Sequence, residues 1–171
     1  MTELERRTIV VGIVPGQSPS VLRTAARFAE RFDAELVCAW VDAARYTIAE
    51  EADGAAWSMP IDPDDDDAPV LEASPDLGAA ISRALEGLGV RWSMRTLAGG
   101  PAVELARLAD ELDAELIVVG TREAGLRGSL HEFFTGSVAV QLAHRQHRPL
   151  LVVPLKPVAR DDDLPWRGED A

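Results

Sequence analysis

Five stretches of this chain carry the apolar pattern of strands, and four others repeat their apolar residues at helical spacing. Residues 8–14 (TIVVGIV), 34–41 (AELVCAWV), 114–121 (AELIVVGT) and 150–153 (LLVV) are nearly continuous apolar runs. Such runs suit parallel strands covered on both faces. Residues 90–97 (VRWSMRTL) instead alternate, with Arg91, Ser93 and Arg95 on one side. That pattern predicts an edge strand with one wetter face.

Between the strands, Ser18-Pro19 offers an N-cap followed by proline at the first helical position, opening a helix to about residue 32. Its apolar face is Val21, Leu22, Ala25, Ala26, Phe28, Ala29 and Phe32. Leu77, Ile81, Leu85 and Leu88 mark a second helix. Gly100-Pro101 opens a third, carrying Val103, Leu105, Ala106, Leu108, Ala109 and Leu112. A fourth begins at Thr135-Gly136-Ser137 and runs through Val138, Ala139, Leu142 and Ala143 until Pro149 stops it. The alternation predicts an α/β fold, a single doubly wound parallel sheet with right-handed crossovers. The tetrapeptide DAEL occurs at residues 33–36 and again at 113–116, each time leading a helix into a strand.

Residues 42–75 lack sustained periodicity and are expected to be a long, mobile insertion. The stretch 156–171 reads as an acidic, disordered or loosely docked tail on a domain spanning 7–155.

Charge narrows the function classes. Seventeen basic residues against 29 acidic ones give a net charge of −12, and no basic patch of the kind a duplex binder needs stands out. No nucleic-acid or membrane partner is therefore expected. Much of the excess lies in DPDDDD (62–67) and RDDDLPWRGEDA (160–171), which read as solvated runs. Consecutive carboxylates without a glycine turn are not a calcium loop. The one cysteine, Cys38, sits within an apolar strand and reads as a buried residue, not a nucleophile. The N-terminus carries no signal-peptide pattern, and no run reaches the roughly 18 residues that span a bilayer. The expected setting is cytoplasmic.

His144 and His147 lie three apart, but AHRQHRP reads as a helix C-terminus whose cations favour the negative dipole end. Two histidines without a third ligand make a poor metal site. His131 belongs to HEFF, where Phe133 and Phe134 are expected to dock under a loop. Trp40 and Trp92 fall on strands and should pack, whereas Trp57 and Trp166 lie in the irregular segments.

The chemistry concentrates in GTREAGLRGSLHEFFTGS, residues 120–137, which follows the fourth strand. In open α/β sheets ligands bind beyond the carboxyl ends of the strands, where strand order reverses. Gly136-Ser137 at a helix N-terminus provides free amides and a hydroxyl for an anion, and Arg122 and Arg127 can offset phosphate charge. No G-x-G-x-x-G follows the first strand, and no G-x-x-x-x-G-K-[ST] or G-x-S-x-G occurs, so ordinary dinucleotide, P-loop and hydrolase-elbow readings fail.

TIVVGIVPGQSPS (8–20), GGPAVELARLADELDAELIVVGT (99–121) and TGSVAVQLAHRQHRPLLVVP (135–154) together resemble the universal stress protein family. The resemblance implies a five-stranded, Rossmann-like sheet of the adenine nucleotide alpha hydrolase-like type, ordered 3-2-1-4-5. It implies a homodimer through the last strand, residues 150–154, and ATP, with magnesium, as the ligand of binding members. It places that ligand against Ile13, Val14 and Pro15 after the first strand and Val41 after the second. Around the loop it would meet Gly120, Thr121, Arg122, Gly125, Arg127, Gly128, Gly136, Ser137 and Val138. The chain departs from the family's signature of glycine, two residues, glycine, nine residues, glycine and serine or threonine. Glu123 stands at the second glycine, and a loop lengthened by three residues, turning at Gly125 and Gly128, accounts for the spacing. Val14 and Pro15 stand where binding members carry an aspartate. The expected function is a stress-response module with a degenerate nucleotide pocket and no catalysis beyond weak ATP hydrolysis. The alternative is a dimeric interaction protein that binds no nucleotide.

Overall fold

The computed structural model describes residues 7–43, 45–50, 56–60, 75–121 and 138–155. Strands β1 (Arg7–Ile13), β2 (Ala34–Asp42), β5 (Trp92–Ala98), β6 (Leu116–Gly120) and β7 (Leu150–Val153) form one parallel sheet in the order β5-β2-β1-β6-β7. Counting only these strands along the chain, that order is 3-2-1-4-5, the expected Rossmann-like arrangement.

Two core clusters sandwich the sheet. One joins alternate residues of β1 and β2, such as Ile9, Val11, Leu36 and Cys38, to helices α1 (Ser20–Phe32) and α2 (Pro75–Leu85). The other joins the opposite faces, including Val10, Val37, Ile117 and Val119, to α3 (Pro101–Glu111) and α4 (Val138–Arg145). Consecutive strand side chains thus enter different layers, which is why the central strands are apolar throughout. The edge strand β5 shows the predicted alternation: Ser93 and Arg95 are exposed, whereas Trp92 and Met94 pack on the first cluster. Trp40 packs there too.

The helix starts and stops have local causes. Ser18 Oγ accepts the Ser20 amide at 3.4 Å, and Pro19 is already helical at φ −63° and ψ −9°. Gly100, extended at φ −72° and ψ 120°, precedes Pro101 at the first position of α3. The two DAEL copies prove to be the same device. Asp33 and Asp113 adopt left-handed φ values of 51° and 46°, each ending a helix. The following alanine and leucine are buried in both copies: Ala34 and Leu36, Ala114 and Leu116. Aspartate tolerates this conformation better than most residues.

Several sequence expectations are corrected. Residues 45–60, read as part of an irregular insertion, include an antiparallel hairpin of β3 (Arg45–Glu50) and β4 (Ala56–Pro60) with an irregularity between Thr47 and Ala49. Leu88 lies past the end of α2 and is 45% exposed, because Gly87 and Gly89, at φ 75° and 65°, turn the chain away. Val103 and Ala143 face solvent, and Leu142 is the one fully buried residue of α4. Among the described residues no helix is long and apolar enough to cross a membrane.

Candidate functional site

Strand register brings the predicted tips together. Val11 pairs with Val118, so Ile13 lies level with Gly120 and Val14 with Thr121. Ile13 pairs with Trp40, which puts Val41 on that same level from the other side. The chain leaves β1 through α1 toward β2, while β6 flanks β1 opposite, so this level is the topological switch where open α/β sheets hold ligands.

Each tip residue has a defined surrounding. Ile13 is buried against the α1–α2 layer, whereas Val14 is 48% exposed and Pro15 is exposed. Gly16, at φ 75°, turns the chain so that Gln17 folds back over the strand ends. The Gln17 amide donates to Val14 O at 3.2 Å, and its side-chain Oε1 accepts the Val14 amide at 3.3 Å. Its Nε2 stands over Gly120, where a Cβ would lie 2.8 Å away. Val21 and Leu155 close on the same spot, at 2.9 and 3.2 Å. Glycine is needed at position 120 for space.

Thr121 ties β6 to the chain beyond β7. Its amide donates to Val153 O at 2.8 Å, and its hydroxyl oxygen accepts the Leu155 amide at 2.8 Å. Val41 and Val138 are partly buried in the α3–α4 layer. The structure therefore assembles Ile13, Val14, Pro15, Val41, Gly120 and Thr121 at one end of the sheet. Arg122, Gly125, Arg127, Gly128, Gly136 and Ser137 lie outside the described residues, as do His131, Phe133 and Phe134.

Sequence reasoning passed over Gln17. The signal was a polar residue in the β1–α1 turn, just before Ser18-Pro19. Sequence reasoning read Arg148 only as one of the cations of a helix C-terminus. That guanidinium reaches the end of α3, donating to Ala114 O at 2.7 Å and to the carboxylates of Asp110 and Asp113. Gln146 clamps the Arg148 backbone from both sides, at 2.9 and 2.6 Å. His144 and His147 are exposed, and no group of three metal-ligating side chains occurs among the described residues. Cys38 is fully buried, and desolvation pushes its thiol pKa from 9.0 up to about 12. It is unreactive in the native state.

The model of the universal stress protein family matches residues 5–154. Similar solved structures include a universal stress protein in complex with cAMP, 24% identical, covering 88% of this chain and 98% of that one at a TM-score of 0.57. Another is the universal stress protein from Archaeoglobus fulgidus in complex with dAMP, 19% identical, covering 88% and 99%, TM-score 0.58. A family protein from Burkholderia pseudomallei is 20% identical, covering 90% and 99%, TM-score 0.51. At these identities the likeness establishes the fold. No curated protein matches the sequence.

Proposed function

We propose that this chain, which belongs to the universal stress protein family, is a cytoplasmic stress-response module that holds an adenine nucleotide at the β1–β6 switch without turning it over. The observation that carries the reading is the single level of Val14, Val41 and Thr121, with the Gln17 carboxamide folded over it. Val14 and Pro15 provide apolar contact for a base but no carboxylate. Gln17 stands beside that position, bonded to the Val14 amide, and a carboxamide both donates and accepts, as the edge of adenine requires. In this reading the segment 120–138 serves the phosphates: amides of Gly125, Gly128 and Gly136, the Ser137 hydroxyl, and Arg122 and Arg127 for charge. Magnesium would join a triphosphate there. The nucleotide complexes of the cAMP- and dAMP-bound relatives support the class of ligand. No tip residue described here is a general base, which favours binding over hydrolysis.

Calorimetric titration with ATP, ADP, AMP and cAMP, with and without magnesium, tests the proposal. We expect saturable binding that weakens when Gln17 becomes Ala. Heats indistinguishable from dilution for every nucleotide would defeat it. The loss of the aspartate supports a second reading, a dimeric interaction module without nucleotide, in which deleting residues 62–67 abolishes partner capture at unchanged melting temperature. Both readings include a homodimer through β7, an edge strand whose Val152 is 39% exposed. Sedimentation showing only monomer at micromolar concentration would refute that assembly.

A further inference from the structure

A hollow lies on the α1–α2 side of the β1 tip; Val14 and Gln17 line its edge, and no residue of β6 or β7 lines it. Its volume is about 320 Å³, at the lower end of the range of small-molecule sites. Ile13, Leu22, Leu77 and Ile81 form an apolar floor, each less than a tenth exposed. The floor stays open because the α2 residues facing it include Ala80 and Ala84, which end at Cβ. Two arginines stand at the rim, Arg23 from α1 and Arg83 from α2. Neither belongs to any of the ion pairs among the described residues, and no acidic side chain among the described residues lines the hollow. Arg83 spends one donor on the Ala79 carbonyl of its own helix, at 3.3 Å. The guanidinium keeps four further N–H donors.

Apolar floor, half-open shape and paired cations select one ligand chemistry. A hydrocarbon chain gains by covering the floor, and an anionic head gains at the rim from two guanidinium groups. At about 30 Å³ per heavy atom, the space suits roughly ten heavy atoms. We propose that this hollow binds a small aliphatic anion, an acyl carboxylate of about six to eight carbons, on the α1–α2 side of the tip, next to the nucleotide level with which it shares Val14 and Gln17 at its edge. The phosphate monoester of the same chain length shares that chemistry, and the test distinguishes the two heads.

Titration calorimetry with octanoate, octyl phosphate, butyrate and octanol reads the proposal directly. Octanoate should bind more tightly than butyrate, which lacks chain, and than octanol, which lacks charge. Tighter binding of octyl phosphate than of octanoate would reassign the head to phosphate and overturn the carboxylate. The double variant Arg23→Gln, Arg83→Gln should weaken octanoate by about tenfold or more while the melting temperature holds, since both side chains are exposed. Ala80→Phe, filling the hollow from an exposed position, should abolish binding. The Arg23, Arg83 double variant should leave AMP binding unchanged while octanoate weakens, so that failure here is distinct from failure of the nucleotide reading. Absence of octanoate binding, octanol binding as tightly or an unaffected arginine variant would each overturn it.

Discussion

Gly120→Ala is the sharpest probe of how the site is built. The added methyl would stand 2.8 Å from Gln17 Nε2, 2.9 Å from Val21 Cγ2 and 3.2 Å from Leu155 Cδ1. Gln17 can yield, because its carboxamide is the far end of a flexible side chain. Val21 cannot: it is fully buried, sits in the first turn of α1, and a β-branched side chain in a helix has one strongly preferred rotamer. Overpacking of this kind costs about 1–3 kcal/mol, and a clash with an immobile neighbour points to the upper half. For a chain of this length that lowers the melting temperature by about 4–12 °C. Calorimetric or circular-dichroism melting measures the loss, and a double-mutant cycle with Val21→Ala assigns it. Removing the Val21 methyls should reduce the cost of Gly120→Ala to below about 1 kcal/mol. An equal cost in both backgrounds, or a melting temperature that Gly120→Ala leaves unchanged, would show that space at this position does not explain the glycine.

Gly16→Ala should also destabilise, but for the opposite reason: nothing lies within 4 Å of its added Cβ, while φ of 75° costs a side chain about 1–2 kcal/mol. Arg148→Ala should cost about 1–3 kcal/mol by chemical denaturation, mostly from the unpaired Ala114 carbonyl and the lost packing of a stem only 16% exposed. Arg148→Lys should recover little, because three acceptors need a planar fork, and full recovery would contradict that geometry. Cys38 predicts an alkaline slope. The native thiol stays protonated to about pH 12 while the unfolded one ionises near 9.0, so its contribution is intact below pH 9 and lost as pH rises toward 12. Wild-type stability should fall relative to Cys38→Ala by about 1.4 kcal/mol per pH unit across that window, and parallel curves would refute it.

What could be read from the sequence was what burial dictates. A strand covered by helices on both faces must be apolar at every position, so 8–14, 34–41 and 114–121 announced themselves, and the alternation at 90–97 marked an edge. The hairpin escaped because a two-stranded ribbon does not require two buried faces, and its segments are short and set among acidic stretches. Leu88 misled because it continued a helical period that Gly87 had already ended. At the site, the tips followed from the sheet order that the family resemblance implied. Gln17 did not, since its place over Gly120 depends on a left-handed turn at Gly16 and on the approach of α1 to β6. Arg148 escaped for a related reason: its partners on and just beyond α3 are 34 to 38 positions away.

The way the sheet is ordered also sets how the molecule carries load. β1 starts at one rim and β7 finishes at the opposite rim, with β6 between them and all three running the same way. Tension applied between Arg7 and Leu155 therefore runs along the strands, straining their cross-links in shear and all at once, not one rung at a time. The Thr121–Leu155 link is the first bond such a pull would meet, so stretching the protein would disturb the crevice before it tore the sheet.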